Sequence, residues 1–189
     1  MMIINLKSVI LLIVINILIL SCEPESHVRM YRLPKKVEKS QDNLEKGAKE
    51  DFKLGWEKPA IWDKVDGHSM RLASFSAPFK NGNADISITS FSGESGGVVS
   101  NVNRWLNQID LDNMSENSIN EMAAKKTGNL GDFLYFKLVN ESNAQSAILA
   151  AIYQLENRTV FVKLSSTLIG SEEIESDFIS FCKSIYIVQ

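Results

Sequence analysis

The sequence predicts an α+β fold in which helices pack on a mainly antiparallel β-sheet. Hydrophobic and polar residues alternate in several short segments joined by turn residues, a pattern typical of antiparallel strands. In other segments hydrophobic residues recur every three or four positions, which is typical of amphipathic helices. The two kinds of segment follow one another as strands, two helices, strands and a final helix. This order indicates an α+β sandwich around one sheet.

The composition is that of an ordinary globular protein. The chain has 189 residues, of which 44% are hydrophobic and 23% are charged, with 4 Pro, 2 Cys and 2 His. These values exclude collagen-like proteins, disulfide-framework proteins and wholly disordered chains. The length allows one domain of usual size with additional segments. Because histidine and cysteine are so few, we expect no cofactor and no bound metal.

Residues 1–21 are predicted to form a lipoprotein signal peptide. Lys7 and the α-amino group supply its positive charge. The apolar run at residues 9–20 would span about 18 Å as a helix, well short of the roughly 30 Å hydrocarbon core of a bilayer. Ile19-Leu20-Ser21-Cys22 resembles the bacterial lipobox, which implies a diacylglycerol on the Cys22 thiol and acyl chains such as palmitate in the membrane. An ordinary signal peptide that ends near a cysteine is the alternative.

The rest of the chain is predicted to contain a tether and one globular domain. Residues 22–50 comprise the lipidated cysteine and a flexible charged tether, with 7 Lys/Arg, 6 Asp/Glu and few large apolar groups. Residues 51–189 form a single α+β domain with 12 Lys/Arg and 17 Asp/Glu. Because this domain is acidic and has no basic run, we expect no nucleic-acid partner. The expected partners are the membrane, through the N-terminal lipid, and an envelope protein, with the domain facing the periplasm or the exterior of a bacterial cell.

Five segments are predicted to be strands. Residues 70–77 and 85–91 alternate in polarity, and Asn81-Gly82 between them is a strong signal for a two-residue turn. We therefore predict a hairpin here, with Ile86 and Ile88 on one face. The other predicted strands are residues 133–139, 147–155 and 159–164.

Three helices are predicted. The first follows a glycine-rich segment and carries an apolar stripe of Val99, Val102, Trp105, Leu106 and Ile109. The second covers residues 115–125, with Ser115 as its N-cap and Gly128 at its end. The third begins with Ser171 as its N-cap. Its apolar stripe comprises Ile174, Phe178, Phe181, Cys182 and Ile185, so Cys182 is expected to be a buried and inert thiol.

The glycine-rich segment Gly93-Glu94-Ser95-Gly96-Gly97 fits two hydrolase patterns. A nucleophile elbow needs a histidine after its serine, and none follows His68. A chymotrypsin-like triad of His68, Asp85 and Ser95 is too closely spaced to be distributed over two barrels. We therefore expect no catalytic residue here. Backbone N–H groups of Gly96 and Gly97 at the helix start could instead bind an anion, although Glu94 would repel phosphate.

The polar face of the first helix is rich in amide groups. Asn101, Asn103, Arg104, Asn107 and Gln108 lie opposite its apolar stripe. A solvated helix face explains this pattern most simply, but a recognition surface for a sugar, a peptide or a protein is the alternative. The residues predicted to bind a ligand are Asn103, Arg104, Gln108, Gly96 and Gly97.

Three segments resemble a group of uncharacterised bacterial lipoproteins and exported proteins. They are residues 56–62, 70–75 and 101–108, of which the N-V-N-R-W motif at residues 101–105 is the most specific. More remotely, the order of elements is similar to that of PsbP-like domains. That resemblance implies an α/β/α sandwich with helices on both faces of an antiparallel sheet, a non-enzymatic role and binding to a membrane-associated assembly. It carries over no catalytic residues.

The leading functional hypothesis is a lipid-anchored binding or scaffold protein of the cell envelope, without catalytic activity and with an unknown ligand. The alternative is an envelope hydrolase that uses Ser95 or carboxylates such as Glu94 and Asp132, which would have to meet in one cleft with raised pKa values. A third hypothesis is structural assembly through an exposed sheet edge.

Overall fold

The computed structural model describes residues 52–67, 70–142 and 146–188. The predicted signal peptide, Cys22, the predicted tether and His68 lie outside the described residues. Within the described ranges, no helix combines the length and the apolarity needed to cross a bilayer.

The described residues form two antiparallel sheets and three helices. The larger sheet has the strand order β2-β3-β4-β8-β7-β6-β5, and the smaller sheet pairs β1 with β9. The strands are β1 Lys53–Gly55, β2 Asp63–Val65, β3 Ala73–Phe79, β4 Gly82–Ser92, β5 Ala124–Gly128, β6 Gly131–Val139, β7 Ala147–Leu155, β8 Arg158–Ser166 and β9 Tyr186–Val188. The helices are α1 Gly97–Gln108, α2 Glu116–Met122 and α3 Leu168–Ser184.

One face of the large sheet, the α3 face, packs against helix α3. Successive side chains of a strand point to opposite faces, so every second residue of the strands contributes to this core. The helix contributes Ile174, Phe178, Phe181 and Cys182, all buried. The strands contribute Phe75, Ile86, Ile88, Phe133, Tyr153, Val162 and Leu164, among others. Burial raises the pKa of the Cys182 thiol, which agrees with the predicted inert cysteine.

The opposite face, the α1 face, packs against α1 and α2. Buried residues of α1, including Val102, Trp105 and Leu106, contact a second apolar cluster on the sheet. The sheet residues of this cluster are Phe136, Leu138, Ile148, Ala150, Ile152 and Phe161. They belong to β6, β7 and β8, so the buried apolar cluster beneath the helices ends at β8. On the same face β4 carries the polar residues Asp85, Ser87 and Thr89, and then Phe91, whose ring lies 6.2 Å from that of Phe161.

The structure confirms the predicted α+β class, with a mainly antiparallel sheet and helices on both of its faces. The hairpin is confirmed as β3 and β4, but its turn is formed by Lys80 and Asn81. Gly82 already belongs to β4 and pairs with Phe79. The predicted apolar stripe of α1 is also confirmed, since Val102, Trp105, Leu106 and Ile109 are buried.

Two helix boundaries were predicted wrongly. The second helix begins after its predicted cap, Ser115, whose hydroxyl accepts from the Ser118 N–H, but it ends at Met122. The next residues form β5 instead, because pairing with β6 satisfies their backbone groups. The third helix begins earlier than predicted, at Leu168, with Thr167 as its N-cap. Ser171 lies inside its first turn, where its hydroxyl donates to the Leu168 carbonyl.

Candidate functional site

The candidate site lies on the α1 face, where the apolar packing beneath the helices ends. We call it the polar surface and define it by Arg71, Asp85, Arg104, Gln108 and Lys163. Arg71 precedes β3, Asp85 is on β4, Arg104 and Gln108 are on α1, and Lys163 is on β8. Segments far apart in the sequence therefore meet at one edge of the helix.

Strand register brings the sheet residues of the polar surface together. Asp85 pairs with Ser165, and Ser87 pairs with Lys163. Asp85 and Lys163 are therefore diagonal neighbours on one face, about 7–8 Å apart between their backbone positions. Their immediate sequence neighbours Ile86 and Val162 point to the α3 face and are buried there.

Arg71 and Asp85 form a bidentate ion pair. Arg71 Nη1 lies 2.9 Å from Asp85 Oδ1, and Nη2 lies 2.9 Å from Oδ2. Arg71 Nη1 also donates to Ser74 Oγ at 3.3 Å. The hydrogen bond to Asp85 raises the pKa of Arg71, although burial opposes this effect. The pair is half-exposed, so its stabilising effect is at most about 1 kcal/mol, but each partner neutralises the other's charge.

Lys163 is a half-buried cation with a neutral hydrogen-bond partner. Its Nζ donates to Gln108 Oε1 at 2.9 Å. Burial lowers the pKa of Lys163, Asp85 acts in the opposite direction, and Arg71 and Arg104 add to the lowering. The polar surface therefore contains a desolvated ammonium group beside two further positive charges.

Arg104 is the third cation of the polar surface and also has a neutral partner. Its Nη2 donates to Asn101 Oδ1 at 2.6 Å. Asn101 is buried, although the sequence analysis placed it on the polar face of the helix. Its amide group donates to the carbonyls of Ser95 and Gly97, at 2.9 and 2.6 Å. Asn101 thus connects Arg104 to the glycine-rich segment.

The glycine-rich segment is a strand-to-helix connector in a left-handed conformation. Gly93, Gly96 and Gly97 have φ angles of 67°, 84° and 73°, which glycine adopts without strain. Ser95 has a φ of 48°, and its hydroxyl donates to the Ser92 carbonyl at 3.3 Å. This conformation explains the repeated glycines without reference to a ligand.

The structure separates the five residues that the sequence analysis selected on this helix. Arg104 and Gln108 lie at the polar surface. Gly96 and Gly97 lie at the other end of α1, roughly 16 Å from Gln108 along the helix axis for eleven residues, and Arg104 is connected to Gly97 through Asn101. Asn103 forms two hydrogen bonds with the backbone of Met114, at 2.8 and 3.1 Å, and so fixes the loop between α1 and α2.

Sequence reasoning missed Arg71, Asp85 and Lys163 as site residues. A signal was present in the strands, since Asp85-Ile86-Ser87-Ile88 and Val162-Lys163-Leu164 alternate strictly between polar and apolar residues. Such alternation indicates that one face of these strands is not covered by an apolar layer. Which polar residues meet there depends on the pairing of β4 with β8, which no local pattern encodes.

The carboxylates of the hydrolase alternative lie on separate elements. Asp132 begins β6 and accepts a hydrogen bond from Thr127 Oγ1 at 2.6 Å. Glu94 follows the end of β4, and strands β8 and β7 lie between β4 and β6. Three strand spacings amount to about 14 Å. In the described part of the chain, no group of three or more His, Cys, Asp or Glu side chains could hold a metal ion.

A cleft of about 330 Å³ lies at the far edge of the large sheet, on β5, β6 and β7. Its lining residues are Lys125, Lys126, Thr127, Asp132, Phe133, Leu134, Ile152 and Gln154. The cleft includes none of the residues that define the polar surface.

No family model and no curated protein sequence matches the chain. Solved structures with a similar chain path include a protein of Bacteroides thetaiotaomicron VPI-5482, with 14% identity over 72% of this chain and a TM-score of 0.44. The match spans 45% of that protein, so this chain corresponds to less than half of its length. LpqN of Mycobacterium tuberculosis, described as involved in cell envelope biogenesis, matches with 9% identity over 75% of this chain and 88% of its own, with a TM-score of 0.44.

The solution structure of cyanobacterial PsbP (CyanoP) from Synechocystis sp. PCC 6803 also matches. Its identity is 14%, the match covers 75% of this chain and 96% of that chain, and the TM-score is 0.45. CyanoP belongs to the PsbP-like group that the order of elements suggested.

Proposed function

We propose that the protein is a lipid-anchored protein of the bacterial cell envelope that binds an envelope component through the polar surface and catalyses no reaction on it. The observation that carries this proposal is the excess of positive charge at the polar surface. Arg71 and Asp85 neutralise each other, whereas Lys163 and Arg104 donate to neutral amide oxygens.

The placement of Lys163 and Arg104 at the polar surface is not explained by a contribution to the stability of the fold. Helix α1 is held by its apolar stripe, in which full burial of Val102 or Leu106 contributes about 1.5–3 kcal/mol each. A half-buried ammonium group opposes folding, because burial removes water from its charge. Residues that do not stabilise the fold but converge at one place are typical of binding sites.

The envelope location is supported by the sequence. The segment Ile19-Leu20-Ser21-Cys22 supports lipid attachment at Cys22. A coil of 28 residues between this cysteine and the folded domain would reach roughly 30 Å. A domain on such a tether could contact components at or near the membrane surface.

Photo-crosslinking in cells tests this proposal. A crosslinking amino acid replaces Asn107, an exposed residue of α1 next to Gln108, and in a control chain it replaces Asp177, an exposed residue of α3. Intact-mass measurement of the recovered protein then detects an adduct of any size. We expect an adduct at position 107 and none at position 177. Absence of an adduct at 107, or equal adducts at both positions, would refute a binding role for this surface.

A further inference from the structure

We infer that the polar surface binds a phosphate monoester group, with Lys163 and Arg104 as its principal contacts. This inference deepens the proposed function and rests on it, because it names the chemical class of the ligand at the same site.

The charge balance of the polar surface matches a dianion. Among the described residues, ion pairs within 4.0 Å join Arg71 to Asp85 and Lys137 to Glu175. Lys163 and Arg104 have no such carboxylate partner, so two positive charges remain. A phosphate monoester carries a charge of about −1.5 to −2 at neutral pH, whereas a single carboxylate would leave one cation unmatched.

The free donors point to a ligand with several acceptor oxygens. Lys163 Nζ uses one of its three donors on Gln108, and Arg104 retains guanidinium N–H groups besides the one bonded to Asn101. Arg104 and Gln108 are four residues apart on α1, so their Cβ atoms lie about 5–6 Å from each other. Lys163, bonded to Gln108, therefore lies beside the turn of α1 that carries Arg104, and the charge of Arg104 acts on it.

The partial burial of Lys163 strengthens its interaction with a phosphate group. The Lys163 side chain is partly buried and contacts Gln108 at the end of α1, so its charge is screened less than it would be in water. Hydrogen bonds between cationic donors and phosphate oxygens are stronger than neutral ones, and both lysine and arginine form them. The hydrogen bonds to Gln108 and Asn101 hold both cations in place before the ligand arrives.

Calorimetry with glycerol 3-phosphate tests the inference on the full chain in non-ionic detergent. We expect saturable binding at one site. Lys163→Met and Arg104→Gln should each weaken binding about tenfold, the effect of losing one charge-assisted hydrogen bond. Lys163→Arg, which keeps the charge, should retain binding, and Lys183→Gln, which removes an exposed cation on α3, should leave the affinity within about twofold.

A second arm distinguishes a soluble ester from a lipid headgroup. The Cys22→Ser chain, which lacks the anchor cysteine, is sedimented with phosphatidylcholine vesicles that contain or lack phosphatidic acid. Sedimentation that requires phosphatidic acid and is lost in Arg104→Gln identifies a lipid source. Calorimetric binding without such sedimentation identifies a soluble source, and either result supports the inference.

Two results would overturn the inference that the polar surface binds a phosphate monoester. One is absence of binding in both arms, and the other is binding that Arg104→Gln leaves unchanged. Because Arg104 is exposed, this variant decides the matter even if Lys163→Met fails to fold. If phosphate esters do not bind but the adduct at position 107 forms, the ligand class is wrong and the proposed binding role stands. If the adduct is also absent, both fail.

Discussion

At the scale of single residues, we expect Lys163 to contribute to ligand binding and not to the stability of the fold. Its ammonium group is half-buried and close to two arginines, and burial lowers its pKa. A folded-state pKa below the unfolded value means that the folded chain holds this proton less tightly. Wherever the group is protonated in the folded chain, its charge therefore opposes folding.

Replacing Lys163 with methionine removes this unfavourable charge and keeps a long apolar side chain. We expect the free energy of unfolding at pH 7 to stay within about 1 kcal/mol of the parent or to increase. Urea denaturation of the full chain measures it. A decrease of more than about 2 kcal/mol, a loss typical of core truncations, would show that Lys163 is a structural residue.

Gly97 gives a second prediction at this scale. Its φ is +73° and no atom lies within 4 Å of the position where a Cβ would be built. Gly97→Ala should therefore destabilise the protein through backbone conformation alone, by about 1–2 kcal/mol. Ser100→Ala, at an exposed position of the same helix, is the control and should have little effect. Equal unfolding midpoints for Gly97→Ala and the parent would contradict the left-handed conformation.

At the scale of elements, hydrogen bonds connect α3 to β6. Glu175 of α3 accepts hydrogen bonds from Tyr135 Oη and from Lys137 Nζ, both at 2.7 Å. Burial on its own would raise the pKa of Glu175, but these hydrogen bonds outweigh it and lower the pKa. Lys126 lies over the Tyr135 ring at 5.3 Å and adds positive charge nearby.

A lowered folded-state pKa makes stability depend on pH in a defined direction. The contribution of Glu175 is fully present above the pKa of an unfolded glutamate and is lost as the pH falls from there through the lowered folded-state pKa. Glu175→Gln should reduce stability at pH 7 by up to about 1 kcal/mol and flatten the loss of stability between neutral and acidic pH. Asp177→Asn on the same helix is the control. An unchanged pH profile in Glu175→Gln would show that the contact does not stabilise the docking of α3.

The elements differ in how well the sequence predicts them. Strands β6 and β7 and helix α1 are long enough to show a period, and all three were predicted. β1, β2 and β9 have three residues each, too few for an alternation to be recognised. The start of α3 was placed too late, because Ser171 resembles an N-cap although Thr167 forms it. Lys163 and Asp85 could not be joined at one site without knowing that β4 pairs with β8.

At the scale of the whole molecule, the two faces of the large sheet are covered differently. Helix α3 lies over a core that reaches from β3 to β6, whereas the apolar cluster beneath α1 and α2 is confined to β6, β7 and β8. The uncovered part of the α1 face holds the polar surface. The proposed lipid anchor would keep this surface near the membrane.

The anchor has a direct test. Cys22→Ser should move the protein from the membrane fraction to the soluble fraction, because two or three acyl chains hold a protein on a bilayer and a bare tether does not. Cys182→Ala, which alters the buried cysteine, should remain in the membrane fraction. Intact mass of the parent should show a chain that starts at Cys22 with added acyl mass. A different start, or no added mass, would refute the lipid anchor.

The central claim is that the cations of the polar surface bind a ligand. The most direct measurement is the yield of the crosslinked adduct from position 107 in the chain that carries Lys163→Met and Arg104→Gln together. We predict that the adduct is lost while the unfolding midpoint does not fall and the membrane retention of the chain stays unchanged. An adduct of the same mass and yield in this chain would contradict the claim.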